Sequence, residues 1–159
     1  PISALQSEYS LLTRDVEKNI LPLCGELGIT FIPFSPLSRG LITNTIERDR
    51  LGEKDFRKTH PRFLGKYWKN NRQLAQAFSD MASDKKCTPA QLALAWVLAQ
   101  GDHIIPIPGT KRRKYLEENA GALDVKLTAA DVAAIEALLA RFPDIGPRYA
   151  ANLAKLVGK

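Results

Sequence analysis

Three short stretches hold the groups from which chemistry could be built: Gln6-Ser7-Glu8-Tyr9, Ser35 to Gly40 (SPLSRG) and Pro108 to Asn119 (PGTKRRKYLEEN). The last changes character abruptly. A proline-punctuated apolar run, Ile105 to Pro108, meets Gly109-Thr110; Lys111 to Lys114 follow, then a helical pattern with Glu117, Glu118 and Asn119. A helix N-terminus already carries roughly half a positive charge, so cations there cost stability unless something negative faces them. Gly40 and Gly109 let backbone approach a ligand closely, and the helix after Gly109 offers free N–H groups to an anion. Each stretch alone reads as a capped loop. All three together, at the ends of strands, read as a phosphate or nucleotide site.

The elements that would position them alternate between strand and helix. Ile2 to Leu5 reads as a strand with Gln6–Tyr9 as its exit loop, and Asp15 as the cap of a helix reaching Leu27, where Gly28 stops it. Ile29 to Phe34 is a near-continuous apolar run, as expected of a strand buried on both faces of a parallel sheet. Residues 43–67 are polar and weakly periodic, an insertion loop. Helices are expected over 71–83, from Thr88 (cap) and Pro89 onward, over 111–120, and from the capping box Thr128–Asp131 to Arg141. His103 to Ile107 is the third strand, and the tail from Phe142 to Lys159 holds one short terminal helix. Three β-then-α units in succession imply parallel strands with helical crossovers, with ligands at the strands' C-terminal ends.

Composition narrows the class. The chain has 159 residues, 45% hydrophobic and 25% charged, which fits one globular domain rather than disorder. No apolar run approaches the ~20 residues of a membrane span. Cys24 and Cys87 match no metal or redox spacing and read as free thiols of a cytoplasmic protein. The net charge of +6 suits a solvated basic surface or an anionic ligand. No zinc-finger spacing, aromatic RNA-binding motif or dense basic arm points to nucleic acid. His60 and His103 lack partners at catalytic spacing, and Trp68 and Trp96 read as packing residues.

The succession ALQSEYSLL, GITFIPFSPLSRGLI, CTPAQLALAWVL and IPIPGTKRRKYLEENAGAL, spanning roughly residues 3–140, resembles the C-terminal half of the aldo-keto reductases. The nearest group includes perakine-reductase-like enzymes and relatives of the potassium-channel β-subunits. The resemblance implies an α/β fold: the C-terminal half of a TIM (β/α)8 barrel, strands six to eight with their helices, over residues 1–159. It implies NADP(H) as cofactor, bound extended across the C-terminal face, and an aldehyde or ketone as substrate.

By the same resemblance, Gln6 would hydrogen-bond the nicotinamide carboxamide and Tyr9 would stack on its ring. Ser35, Pro36, Leu37, Arg39 and Gly40 would wrap the pyrophosphate. Gly109, Thr110 and Lys111, with Arg112, would hold the 2′-phosphate. Glu118 and Asn119 would reach the adenine amino group, beside Tyr115 at a position often held by Arg or Gln. Arg62, in HPRFLG, resembles an arginine of the long loop that folds over the cofactor. The family's acid Tyr and its Lys, Asp and His partners come from the N-terminal half, so no catalytic residue is assigned in this chain. That half, or another chain, is expected to cover the open sheet edges. The alternative is a non-catalytic half-barrel that binds nucleotide or acts as a regulatory module.

Overall fold

The structure, a computed structural model, describes residues 1–150 and residue 154. Strand β1 (Ala4–Glu8) pairs in parallel with β2 (Thr30–Phe34), with Gln6 opposite Ile32. Gln6, Ser7 and Glu8 therefore belong to the strand itself and not to its exit loop.

The expected third strand lies on the far side of β2, in parallel, but only as two bridges, Phe31–Ile104 and Phe34–Ile107. The Phe31 N–H donates to the His103 carbonyl (2.8 Å), the Ile105 N–H to that of Phe31 (2.9 Å) and the Ile107 N–H to that of Pro33 (3.0 Å). Pro33 has no N–H to return, so the ladder is interrupted midway.

Five helices follow the same sequence logic with shifted bounds. Helix α1 is Ile20–Glu26, starting four residues later than a cap at Asp15 would give. Pro22 is the reason: in a longer helix it would sit in the interior, without the N–H owed to the Lys18 carbonyl, whereas here it lies in the first turn. Gly28 closes the unit at φ +64°. A 3₁₀ turn at Ser38–Thr43 leads into the expected insertion loop, which holds further short 3₁₀ turns at Arg48–Arg50, Phe56–Lys58 and Pro61–Phe63 before a helix takes over at Gly65. Helix α2 (Gly65–Asp84) begins six residues before the expected Asn71.

Helix α3 (Pro89–Leu98) has its capping box complete: the Thr88 hydroxyl accepts the Gln91 N–H at 3.2 Å and Gln91 Oε1 accepts the Thr88 N–H at 3.0 Å. Helix α4 is Arg113–Ala120, and α5 (Ala129–Ala140) starts at the Thr128–Asp131 box. The expected terminal helix lies mostly outside the described residues.

The core gathers Tyr9, Phe31, Phe63, Phe78, Leu92, Trp96 and Ile135, each fully buried, between the sheet and helices α2, α3 and α5. Cys24 and Cys87 are free thiols. Among the described residues, no helix is long and apolar enough to cross a membrane.

Candidate functional site

A groove of about 890 Å³ opens at the C-terminal ends of β2 and the third strand. One wall is the segment leaving β2, with Ser35, Pro36, Leu37, Arg39 and Gly40; the other is Gly109 with Lys114, Tyr115, Glu118 and Asn119 of α4. Residues 75 positions apart in sequence thus share one concavity, and nine of the fifteen expected site residues line it.

The backbone of the first wall is unusual. Ser35, Ser38, Arg39 and Asn44 all have positive φ (51°, 52°, 61° and 57°), and Gly40 has φ +85°. The turn is tied internally, with the Ser38 N–H on the Ser35 carbonyl and the Gly40 N–H on the Leu37 carbonyl, both at 2.9 Å. Conformation favours glycine at position 40, and an added Cβ would also crowd Ile46 Cδ1 at 3.1 Å, while Arg57 Nη1 at 3.7 Å would be in ordinary contact. Gly109 differs: an added Cβ would meet nothing within 4 Å, and the space beside it is open.

The groove also holds groups that the sequence reading passed over. Arg57 lies in its wall, with Nε and Nη2 held by Asp55 at 2.9 and 2.6 Å. The Asp55 carboxyl is pulled down to about 2 by those bonds. The signal was local: Asp55 also accepts the Arg57 N–H at 3.0 Å, an aspartate cap two residues ahead of an arginine. Lys114 also lines the groove, as do Thr43, Thr45 and the capping residue Thr88.

Two expected site residues lie in the interior instead. Tyr9 is fully buried; its ring meets Phe31 edge-on at 6.1 Å and Trp96 at 5.6 Å, and its hydroxyl donates to Glu17 Oε1 at 2.7 Å. No face of that ring is open for stacking. Burial, reinforced by Glu17, raises the Tyr9 pKa far above the ordinary phenol. Position nine continues the strand past Glu8 with its side chain toward the core, which is why the ring is enclosed.

Arg62 is 6% exposed and reaches inward, with Nη1 on Thr13 Oγ1 at 2.9 Å and Nε on the Gly146 carbonyl at 3.2 Å. Burial, with Arg39 and Arg148 nearby and Glu8 opposing, lowers its pKa. The 3₁₀ turn at Pro61–Phe63 points this side chain away from the groove.

Arg39 lines the groove, but its guanidinium is committed to Glu8. Gln6 is exposed on β1, and Thr110, Lys111 and Arg112 are exposed beyond the groove's lining. Arg112 caps α4 without a side-chain bond, and no acidic residue occupies that helix's first turn. Among the described residues, none of the cations 111–114 has a carboxylate within ion-pair distance.

A groove at the C-terminal ends of parallel strands is where α/β scaffolds commonly place their ligands, and this one carries Arg39, Arg57 and Lys114 in its lining. The comparisons agree on the family: residues 1–140 match the aldo/keto reductase family, and the chain belongs to it. It is 43% identical over 153 residues to the aldo-keto reductase yakc [NADP(+)] of Schizosaccharomyces pombe, covering 94% of this chain and 45% of that protein. It is 46% identical over 132 residues to a probable aldo-keto reductase 1 of Glycine max, covering 83% of this chain and 38% of that one.

Among solved structures, a glycerol dehydrogenase of Gluconobacter oxydans superposes with a TM-score of 0.81 at 25% identity, over 93% of this chain and 46% of that one. An aldo-keto reductase of Klebsiella pneumoniae in complex with NADPH gives 0.61 at 25%, over 92% and 40%. The chain therefore spans less than half the length of these relatives.

Proposed function

We propose that this chain is the dinucleotide-binding part of an NADP(H)-dependent oxidoreductase that reduces aldehyde or ketone carbonyls, and that its three strands are the sixth to eighth of the barrel. The observation that carries the reading is the groove joining Ser35–Asn44 to α4, with Gly40 at φ +85° in its wall and open space beside Gly109.

The residues fit the cofactor in kind. The left-handed turn around Arg39 and Gly40, with Arg57 and Lys114, suits a pyrophosphate; Glu118 and Asn119 suit an adenine edge. Lys111 and Arg112, exposed beyond one end of the groove, suit a 2′-phosphate. The nicotinamide ring supplies, when bound, the hydride. What these residues do is hold the phosphates and exclude water from their contacts.

Proton donation is assigned outside these residues. Tyr9 donates to Glu17 and Tyr149 to Glu8; among the described residues, no tyrosine hydroxyl bonds to a lysine or histidine. General acid catalysis is worth ~10²–10⁴-fold, so residues 1–159 alone are expected to bind NADPH without appreciable turnover. The same observation supports the second reading, a nucleotide-binding module without catalysis. The test is NADPH fluorescence titration of purified residues 1–159, beside an NADPH-oxidation assay over an aldehyde panel. Binding with negligible turnover is expected, turnover like that of a full-length reductase would sink the assignment of the acid, and no binding would sink the cofactor reading.

A further inference from the structure

Glu8 closes β1 with its side chain fully enclosed, and five donors converge on it. Arg39 grips the carboxylate with both prongs, Nη1 to Oε1 at 2.7 Å and Nη2 to Oε2 at 2.9 Å. Arg148 Nε donates to Oε2 at 3.0 Å, the Tyr149 hydroxyl to Oε2 at 3.3 Å and the Thr13 hydroxyl to Oε1 at 3.2 Å. The Tyr149 ring lies against both guanidiniums, with Arg39 Cζ 5.6 Å and Arg148 Cζ 5.1 Å from its centroid. Gly146 belongs to the same assembly, since its carbonyl accepts from Arg62, which in turn donates to Thr13.

Arg39 is the one member of this assembly that also lines the groove; Arg148 and Tyr149 do not. It sits in the left-handed part of the groove wall at φ +61°, after Ser38 at φ +52°. An L-residue holds such a conformation only where its surroundings over-determine it. For Arg39 the tie is the buried carboxylate, and Glu8 is kept charged in the interior only because two guanidiniums share it. Taking away one guanidinium leaves the carboxylate under-neutralised and loosens its hold on the other.

We propose that Arg148 and Tyr149 are positioning residues for the groove: by completing the neutralisation of Glu8 they lock Arg39, and through it the backbone turn that faces the cofactor's phosphates. The proposal rests on the dinucleotide reading above. Its consequence is that cofactor affinity depends on a segment 100 or more positions beyond the phosphate loop that never touches the groove.

The experiment is NADPH and NADH titration, by fluorescence, of the purified protein and its Arg148→Met, Tyr149→Phe, Arg39→Met and Arg39→Met/Arg148→Met variants, each first shown to be folded by circular dichroism. Arg148→Met should raise Kd by about tenfold, a loss of one charge-assisted contact's worth. It should do so equally for NADPH and NADH, because the phosphate turn is common to both. Arg39→Met/Arg148→Met should be no worse than the weaker single variant, since both act through one carboxylate, and Arg148→Lys should restore part of the loss.

A folded Arg148→Met protein with unchanged Kd would overturn the positioning role, and so would additive losses in the double variant. Should Arg148→Met fail to fold, Tyr149→Phe removes only one hydroxyl. A Kd raised about two- to threefold would then support the proposal, and an unchanged Kd would overturn it. Absence of NADPH binding by the unsubstituted protein would overturn the dinucleotide reading itself, and this role with it.

Discussion

Removing the Tyr9 ring would open a cavity between Phe31 and Trp96 and take one of two donors from Glu17 Oε1, which would keep Arg14 Nε at 2.7 Å. Tyr9→Ala is therefore expected to destabilise the fold by about 3–5 kcal/mol, and Tyr9→Phe by about 1 kcal/mol through the lost hydrogen bond. Urea unfolding of both variants checks this; an unaltered midpoint with weakened cofactor binding would return Tyr9 to the nicotinamide. Lys111 and Arg112 call for the opposite kind of experiment. Exposed and without carboxylate partners among the described residues, they contribute little to stability, so neutralising both should leave the melting temperature unchanged. NADPH affinity should fall by about tenfold or more while NADH affinity holds, as expected of contacts to a 2′-phosphate. Equal losses for both cofactors in a binding titration would remove that assignment.

At the level of elements, the segment leaving β2 stakes most on one residue. Gly40→Ala adds a Cβ at φ +85° within 3.1 Å of Ile46, so it should cost about 1 kcal/mol or more of stability and weaken cofactor binding by distorting the turn. Thermal melting and fluorescence titration read the two effects separately.

Elements whose signals are local were legible in the sequence: the Thr88 cap with Pro89, the Thr128–Asp131 box, Gly28 as a stop, and the apolar run of β2. Elements settled by non-local competition were not. Pro22 shortened α1, a cost that stripe periodicity does not weigh, and the turns of 43–67 have no repeating pattern to detect. The site divides in the same way. Groove-facing positions followed from strand ends and glycines. The inward turn of Tyr9 and Arg62 depended on partners far along the chain, Trp96 and Gly146, that no spacing rule connects to them.

For the molecule as a whole, the buried ionisable groups set a pH window. His60 is 7% exposed; its Nδ1 accepts the Arg62 N–H at 3.2 Å, and among the described residues its Nε2 has no partner. Burial, helped by the charges of Arg39 and Arg62, lowers its pKa to about 4, below the ordinary ~6.5. Folded His60 thus binds fewer protons than unfolded His60 between those values. Its contribution is present above pH ~6.5 and is lost as the pH falls toward about 4. Glu8 adds a second loss at lower pH. Burial works to raise its pKa, but Arg39 and Arg148 prevail and lower it, so its stabilisation fades as the carboxylate protonates below the ordinary range. Urea midpoints measured from pH 7.5 to 4 should decline, and the decline above pH 5 should shrink in His60→Gln. A flat profile would show that His60 is not buried neutral.

The proline run of the third strand has a further effect on how such molecules meet one another. Ile105 and Ile107 spend their N–H groups on β2, so residues 104, 106 and 108 face outward. Of these, Ile104 has already given its N–H to the Gly101 carbonyl, and Pro106 and Pro108 have none to give. This flank of the sheet is therefore all acceptor: it can receive hydrogen bonds from a strand that brings its own donors but offers none in return. Two copies meeting at this flank would set carbonyl against carbonyl, which disfavours that one pairing while leaving the flank open to a strand edge that carries its own donors.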